Sequence, residues 1–250
     1  MKISIITVCY NSVNTIENTI LSVLNQTYKN IEYIIIDGKS NDGTIYIINK
    51  YIKRISFFIS EKDNGMYDAI NKGITISTGE IVGILNSDDI YSNYSIIETI
   101  AEKFILNNNL DAIIGNIEFI TRNRKILRHY SSKNWNTKKF KFGYMPPHPS
   151  FFCKRSIYFK LGLYRTDFKI AADFELMLRY FLINRINYTY VNRTIVSMRI
   201  GGLSTKGLSS LYTINKEIKL ACEYNNIYTN YLFIYFKYLK KIFEFKFFKF

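Results

Sequence analysis

The first half of the chain is cut into short apolar runs, among them IEYIIID, SFFIS and IVGIL, and the chain opens on another over residues 2–8. Between them lie segments whose apolar residues recur at helical spacing, such as Ile16, Ile20, Val23 and Leu24 in a helix expected over residues 13–24. SNDGT reads as a helix start, because Asp42 and Thr44 can satisfy free backbone donors. The helix it opens runs over 45–51, and MYDAINKGITIS reads as another. A near-continuous apolar strand such as IEYIIID suits a sheet covered on both faces. Strands alternating with helices at this spacing predict an open α/β fold with a mostly parallel, Rossmann-like sheet. In such sheets ligands lie outside the carboxyl ends of the strands.

That rule directs attention to GEIVGILNSDDIYS, where an apolar run stops at Asn86, Ser87, Asp88 and Asp89. Two adjacent carboxylates repel each other. A solvated turn tolerates them, and so does a divalent cation, because hard cations take oxygen ligands. Two further segments place polar groups near strand ends. Asp37 closes IEYIIID ahead of GKSNDG, and can be a turn residue or an acceptor for the imide N–H of a pyrimidine base. DNGMYDAINKG puts Asp68 and Lys72 four residues apart on one helix face, with Asn71 adjacent. That lysine can meet a diphosphate or simply pair with Asp68.

Beyond residue 110 the rhythm changes. LDAIIGNIEFI and KILRHY read as strands, candidates for antiparallel pairing; PPHPSFF reads as a stiff loop entering a strand, and ADFELMLRYFLI as a helix. The chain has 250 residues, 48% of them apolar, enough for one large domain or two small ones. It has no uncharged apolar run of about 18 residues that would cross a membrane. Its opening MKISIITVCYNS lacks the apolar stretch and cleavage site of a signal peptide and reads directly as a strand. Cys9, Cys153 and Cys222 show neither metal spacing nor a disulfide framework, which fits a reducing cytosol. The 34 Lys and Arg exceed the 20 Asp and Glu by 14, which favours anionic partners. No nucleic-acid motif accompanies that excess, so phosphorylated ligands or an acidic membrane face are the expected partners. A dehydrogenase or a nucleotidyltransferase would need a glycine-rich phosphate loop after the first strand, and CYNSVNTIENT has none.

Taken in order, ITVCYN, IIIDGKSNDGT, DNGMYDAINKG and GEIVGILNSDD resemble the successive motifs of the family 2 glycosyltransferases, over about residues 1–205. The nearest likeness is to bacterial enzymes that build polysaccharide or oligosaccharide chains. The resemblance implies a GT-A fold, a nucleotide-diphosphate sugar donor (a UDP-sugar in this reading), Mn²⁺ or Mg²⁺, and inversion at the anomeric carbon. It divides the chain into a nucleotide-sugar half over about 1–110, an acceptor half over 111–205 with a smaller antiparallel element, and a helical tail over 206–250. Carried onto this chain, it puts Thr7 and Asn11 at the first strand's exit and Asp37 at the base. It puts Asp68, Asn71 and Lys72 on the donor side, Asp88 at the ribose or a water ligand, and Asp89 on the metal. Asn86 stands where the family's acid motif begins, which leaves a second protein ligand undefined.

On the acceptor side the resemblance implies that Asp173, at the start of ADFELMLRY, is the catalytic base, with Ala172 where many relatives have Glu. An inverting transfer needs a carboxylate to take the acceptor's proton. Glu175 reads as structural. His148, between prolines, is a candidate for orienting acceptor or phosphate and equally a packed loop histidine. Arg165 stands in GLYRTDF where relatives carry an acid. RIGGLST resembles a closing loop, with Gly201 and Gly202 as its joints and Arg199 reaching the diphosphate.

The tail YLFIYFKYLKKIFEFKFFKF carries an apolar stripe at Leu232, Tyr235, Phe236, Leu239, Ile242, Phe243, Phe247 and Phe250. Its five lysines and one glutamate leave +4. That pattern predicts a helix lying on an anionic membrane surface, or one packed on the domain or on a second subunit of a homodimer. The expected enzyme is cytoplasmic and peripheral on the inner face of the plasma membrane, acting on a glycan or lipid-linked acceptor. A polyprenyl-phosphate sugar synthase and a non-catalytic sugar-binding descendant are the alternatives.

Overall fold

A computed structural model describes residues 1–200 and 208–246, with residue 208 and residues 239–246 described in backbone only. In chain order the strands are β1 (Ile3–Cys9), β2 (Ile31–Asp37), β3 (Phe57–Ser60), β4 (Ile81–Ile84), β5 (Ile90–Tyr91), β6 (Ala112–Ile120), β7 (Ile126–Tyr130), β8 (Phe152–Lys154) and β9 (Tyr188–Arg199). The helices are α1 (Ile16–Leu24), α2 (Thr44–Lys50), α3 (Met66–Ile76), α4 (Ile96–Leu106), α5 (Arg155–Leu161), α6 (Ala172–Met177), α7 (Leu208–Tyr224) and α8 (Tyr231–Lys246). The described strands form one sheet in the order β3-β2-β1-β4-β8-β6-β9-β5, with β7 on β6.

The pairs β1–β2, β2–β3 and β1–β4 are parallel, as the alternation predicts, so four carboxyl ends open on one edge. β8 runs antiparallel to both β4 and β6, and β7 antiparallel to β6. These make the smaller antiparallel element expected after residue 110. β9 lies parallel to β6, and β5 antiparallel to β9. From the sequence, no strand is read over β5 or β9 and no helix over α4 or α5.

Alternation along the strands splits the core into two layers. Ile6, Val8, Ile34, Ile36, Val82 and Ile84 face α3, α6 and α7. Ile3, Ile5, Tyr33, Ile35 and Ile81 face α1 and α4. Gly83 is where β4 meets β8 most closely: a Cβ there would lie 2.4 Å from the Phe152 ring. All three cysteines are buried, Cys9 in β1, Cys153 in β8 and Cys222 in α7. Ile218, Ala221 and Cys222 of α7 and Ile234 of α8 join the same core layer as Phe174 and Met177 of α6.

The ADFELMLRYFLI segment is α6 continued by a wider, π-helical stretch over Leu178–Ile183. In α8, Ile234 is buried and the Phe233 ring packs on Phe142, so one face docks on the domain. Leu232, Tyr235 and Phe236, the first residues of the apolar stripe, remain exposed. The side chains of the stripe beyond Phe236, and the Gly201–Gly202 pair, lie outside the described residues. Among the described residues no helix is long and apolar enough to cross a membrane.

Candidate active site

Register assembles the edge of the sheet. Cys9 pairs with Asp37 and Asp37 with Ser60 across β1, β2 and β3. Asp37 is therefore flanked by donors, and it is fully buried. Its Oδ1 accepts the Ser40 hydroxyl (2.5 Å) and the Cys9 thiol (3.4 Å); its Oδ2 accepts the Ser40 N–H (2.9 Å) and the Ser60 hydroxyl (2.6 Å). An ionised carboxylate offers about four lone-pair sites, and all are used. Asp37 thus anchors the loop after β2. Asp63 stands beside that loop at Gly38. A Cβ on Gly38 would meet Asp63 Oδ2 at 2.6 Å and the exposed Tyr10 ring at 3.4 Å, so a side chain there would displace the Asp63 carboxylate.

The loops after β1 and β2 interlock. The Asn11 side chain accepts the Asn41 N–H (3.0 Å), the Asn11 N–H donates to the Ser40 hydroxyl (2.8 Å), and Asp42 accepts the N–H groups of Val13 and Thr44 (3.0 Å each). Asn11 reaches this position at φ 49°, a left-handed conformation that asparagine tolerates better than most residues. Thr7 is a core residue: its hydroxyl accepts the buried Tyr33 hydroxyl (3.2 Å).

The acidic turn is pinned from two sides. The Thr19 hydroxyl of α1 lies 3.0 Å from the Ser87 carbonyl and 2.7 Å from that of Asp89, and the hydroxyls of Ser12 and Ser87 are 2.8 Å apart. Asp89 is buried, with its Oδ2 3.4 Å from the Asn86 amide. Among the described residues, two acceptor oxygens in this turn, Asn86 Oδ1 and Asp89 Oδ1, are buried without a hydrogen-bond partner. Burial raises both carboxyls, and for Asp89 the neighbouring Asp88 charge adds to it. The β5–β9 register pairs Ile90 with Ser197, and two residues further brings Asp88 opposite Arg199. Arg199 works against the upward shift at both acids. Asp88 is half-buried, and so is the more open of the two.

Unpartnered acceptors beside two carboxylates are a donor set that suits a hard cation, which takes oxygen ligands and relieves the cost of leaving them buried. Among the described residues no cluster of three or more His, Cys, Asp or Glu stands ready to hold a metal without further ligands. A cation here would share its shell with substrate.

α3 presents two different faces. Lys72 pairs with Glu61 (2.9 Å) and Asp68 (3.4 Å), and Asp68 also accepts the Asn64 N–H (3.0 Å). On the other face Asn71 grips Tyr164 by both backbone groups, at 2.8 and 3.0 Å. Tyr67, one turn earlier, stacks on the Tyr164 ring and donates to the Ile170 carbonyl (2.5 Å). Its hydroxyl lies 3.4 Å from Asp173 Oδ1. Tyr67 was not singled out in the sequence, although its spacing of four from Asn71 marks both as one face. Asn71 is thereby a tie between α3 and the acceptor half rather than an open donor-side group.

Asp173 sits in the first turn of α6, half-buried, its Oδ1 also accepting the Phe174 N–H (2.8 Å). Burial is the main cause of its raised pKa of about 6, against which the Phe174 N–H and the Tyr67 hydroxyl work. Its neighbour Glu175 is buried and bound to Arg179 (3.0 Å), as a structural residue would be. His148 is buried with its Nε2 2.7 Å from the Tyr164 hydroxyl, and burial lowers its pKa to about 4. It is neutral near pH 7, so the packed alternative is the one observed, and the ring carries no charge for a phosphate. Arg165 pairs with Asp167 (2.6 Å) and lies over the Tyr224 ring of α7.

Residues 4–166 match the model of glycosyl transferase family 2. An uncharacterized glycosyltransferase of Mycobacterium tuberculosis is 30% identical over 191 residues, which cover 72% of this chain and 69% of that one. The Escherichia coli UDP-Glc:alpha-D-GlcNAc-diphosphoundecaprenol beta-1,3-glucosyltransferase WfgD is 34% identical over 122 residues, covering 48% of this chain and 47% of the relative. Among solved structures, S. aureus TarS 1–349 in complex with UDP-GlcNAc superposes with a TM-score of 0.67 at 17% identity, over 88% of this chain and 66% of that one. The mannosyltransferase PcManGT of Pyrobaculum calidifontis, in complex with GDP-Man and Mn²⁺, gives a TM-score of 0.60 at 19% identity, over 86% and 63%. Sheet order, ordered motifs and these likenesses agree, and the chain belongs to glycosyl transferase family 2, with the GT-A fold its motifs imply.

Proposed function

We propose that this transferase moves a sugar from a UDP-sugar to a hydroxyl of a lipid-diphosphate-linked or glycan acceptor, with inversion. The observation that carries the reading is Asp173. Its carboxyl stands at a helix start, is oriented by Tyr67 and Phe174, and has a raised pKa of about 6. At pH 7 the ionised form predominates and can accept a proton from an acceptor hydroxyl, which a general base tuned near the working pH does best. With the base on one side of the sugar and the diphosphate leaving from the other, a single displacement inverts the anomeric centre.

The donor lies across the carboxyl ends of β1 to β4. Tyr10 and Asp63 bound the base, while Asn11, Asp37 and Asp42 hold the loops that shape its pocket. The resemblance puts the metal on Asp89; because Asp89 is buried and Asp88 is the more open of the two, Asp88 is here the carboxylate proposed to share a divalent ion with the diphosphate, beside the buried, unpartnered Asp89 Oδ1 and Asn86 Oδ1 of the same turn. Such an ion, when bound, would supply Lewis-acid neutralisation of the leaving diphosphate. Arg199 adds fixed positive charge on the same side. In support, WfgD is a UDP-Glc:alpha-D-GlcNAc-diphosphoundecaprenol glucosyltransferase, and the structural neighbour TarS is seen in complex with UDP-GlcNAc. Donor hydrolysis screened across nucleotide sugars with Mn²⁺ present tests the reading. Slow release of UDP from one UDP-sugar is expected, and no turnover of any nucleotide sugar would overturn it.

The chain is further proposed to rest on the inner face of the plasma membrane through the exposed face of α8. The support is Leu232, Tyr235 and Phe236, all exposed, on a helix whose opposite face is docked by Ile234. Lysines near an anionic surface contribute about 1 kcal/mol each, and salt screens that part. Changing Leu232, Tyr235 and Phe236 together to serine is expected to abolish co-sedimentation with anionic vesicles while leaving the melting temperature unchanged. Removing residues 231–250 is a poorer test, because it uncovers the Ile234 site. Undiminished vesicle binding by the triple variant would end this proposal.

A further inference from the structure

Glu217 lies on α7, beyond the residues matched by the family model and outside every motif recognised in the sequence. It is buried, and its carboxylate collects three consecutive backbone N–H groups: Lys169 on Oε1 (2.8 Å), and Ile170 (2.9 Å) and Ala171 (2.8 Å) on Oε2. These residues lead directly into α6. Ala171 immediately precedes α6, so its N–H is one of the donors at the helix start that lack an intrahelical acceptor, and the N–H groups of Lys169 and Ile170 lie just ahead of it. A carboxylate delivered from α7 satisfies all three, through charge-assisted bonds that are stronger than neutral ones. Among the described residues Glu217 forms no ion pair. The segment is held from the opposite side by Tyr67, whose hydroxyl bonds the Ile170 carbonyl.

We propose that Glu217 is a positioning residue for sugar transfer: it fixes the entry to α6 so that the Asp173 carboxyl faces the acceptor hydroxyl. This rests on the reading of Asp173 as the base. Geometry is the first of two effects. A misplacement of about 1 Å can cost a reaction on the order of 10²-fold, and the α6 entry has its backbone donors tied to α7 alone over three residues.

The second effect is charge. Around Asp173 stand Tyr67 from α3, Glu217 from α7, and Tyr164 from the loop ahead of α6, itself bonded to the neutral His148. On α6 and its continuation, Glu175 and Arg179 are paired with each other, and Arg179 also binds the carbonyls of Gly162 and Leu163. Glu217 is the unpaired anion of this group, and it disfavours a second negative charge on Asp173. Removing its charge therefore lowers the Asp173 pKa and moves the acidic limb of the rate profile to lower pH.

The test uses the full chain and the nucleotide sugar selected by the donor screen. Rates against pH are measured for the wild type, Glu217→Gln, Glu217→Asp and Asp173→Asn, with thermal melts and calorimetry of UDP binding. Glu217→Gln should lower kcat roughly tenfold to a hundredfold with UDP affinity unchanged, and shift the acidic limb downward. Glu217→Asp keeps the charge but retracts it by a methylene; it should lower kcat and leave the limb in place. A folded Glu217→Gln with wild-type kcat and an unmoved limb overturns the proposal. Should Glu217→Gln fail to melt cooperatively, Glu217→Asp decides, and wild-type kcat there overturns it. Full activity in Asp173→Asn defeats the base assignment instead. Inactive Asp173→Asn beside wild-type Glu217 variants defeats the Glu217 proposal alone.

Discussion

Asp173→Asn is expected to reduce sugar transfer by roughly 10²- to 10⁴-fold while UDP binding in the presence of Mn²⁺ stays within about twofold of wild type. The amide fits the same space and can still accept the Phe174 N–H at its oxygen, so the start of α6 is preserved. What disappears is the ability to take a proton. The pH dependence supplies an independent check. The raised pKa of about 6 means that the wild-type carboxyl is ionised above that value and protonated below it. The wild-type rate should therefore fall as pH drops through about 6, and the residual rate of the asparagine variant should lack that limb. Single-turnover assays across pH with a saturating donor measure both. Normal transfer by the variant would place the base elsewhere. Glu175 is a poor substitute because Arg179 holds it, which leaves Asp68 as the next carboxylate to test.

Chelation is expected to weaken UDP binding by roughly ten- to hundredfold, the usual size of coupling between two ligands that share a site. Among the described residues, Asn86 Oδ1 and Asp89 Oδ1 of this turn meet no hydrogen-bond donor, and its two carboxyls are driven toward their neutral forms by burial. A divalent ion and a diphosphate together relieve both problems, because each satisfies the charge of the other. Asp88→Asn should remove most of the metal effect on UDP affinity. Asp89→Asn should weaken it as well, by disturbing the turn from below. Calorimetry with UDP, with and without a chelator, settles the matter. Equal affinities in the two conditions would remove the metal from the mechanism.

The parallel half of the fold was legible because its signals are local. An apolar run ending in Asp37 or Asn86 states both a buried strand and the edge at which it stops. The helix carrying Tyr67 and Asn71 was equally readable from its period. What the sequence concealed is contact between distant segments. Whether Asp37 touches a ligand depends on Ser60, which register brings beside it, and no local pattern announces that. His148 sits between prolines in either of two environments, and only the burial of Tyr164 selects one. β5 and β9 were overlooked for different reasons. The first is two residues long, and the second mixes polar and apolar residues because much of it is partly exposed. Composition alone separated the helices after residue 206 from the rest, whereas their apolar residues share the core with α6.

The three buried cysteines place a chemical reporter in each part of the molecule. Burial raises all three thiols above their ordinary range, so they stay protonated and shielded from electrophiles in the folded state. Alkylation can then proceed only through opening of the structure. Cys9 answers for the nucleotide side of the sheet, Cys153 for the strand that joins the two halves, and Cys222 for the helix that holds the entry to α6. The order in which they become labelled, followed by mass spectrometry in mild denaturant, reads out whether the C-terminal helices breathe on their own or only when the whole sheet comes apart. An unmodified wild-type chain thus carries its own local-stability gauge, with no engineered probe required.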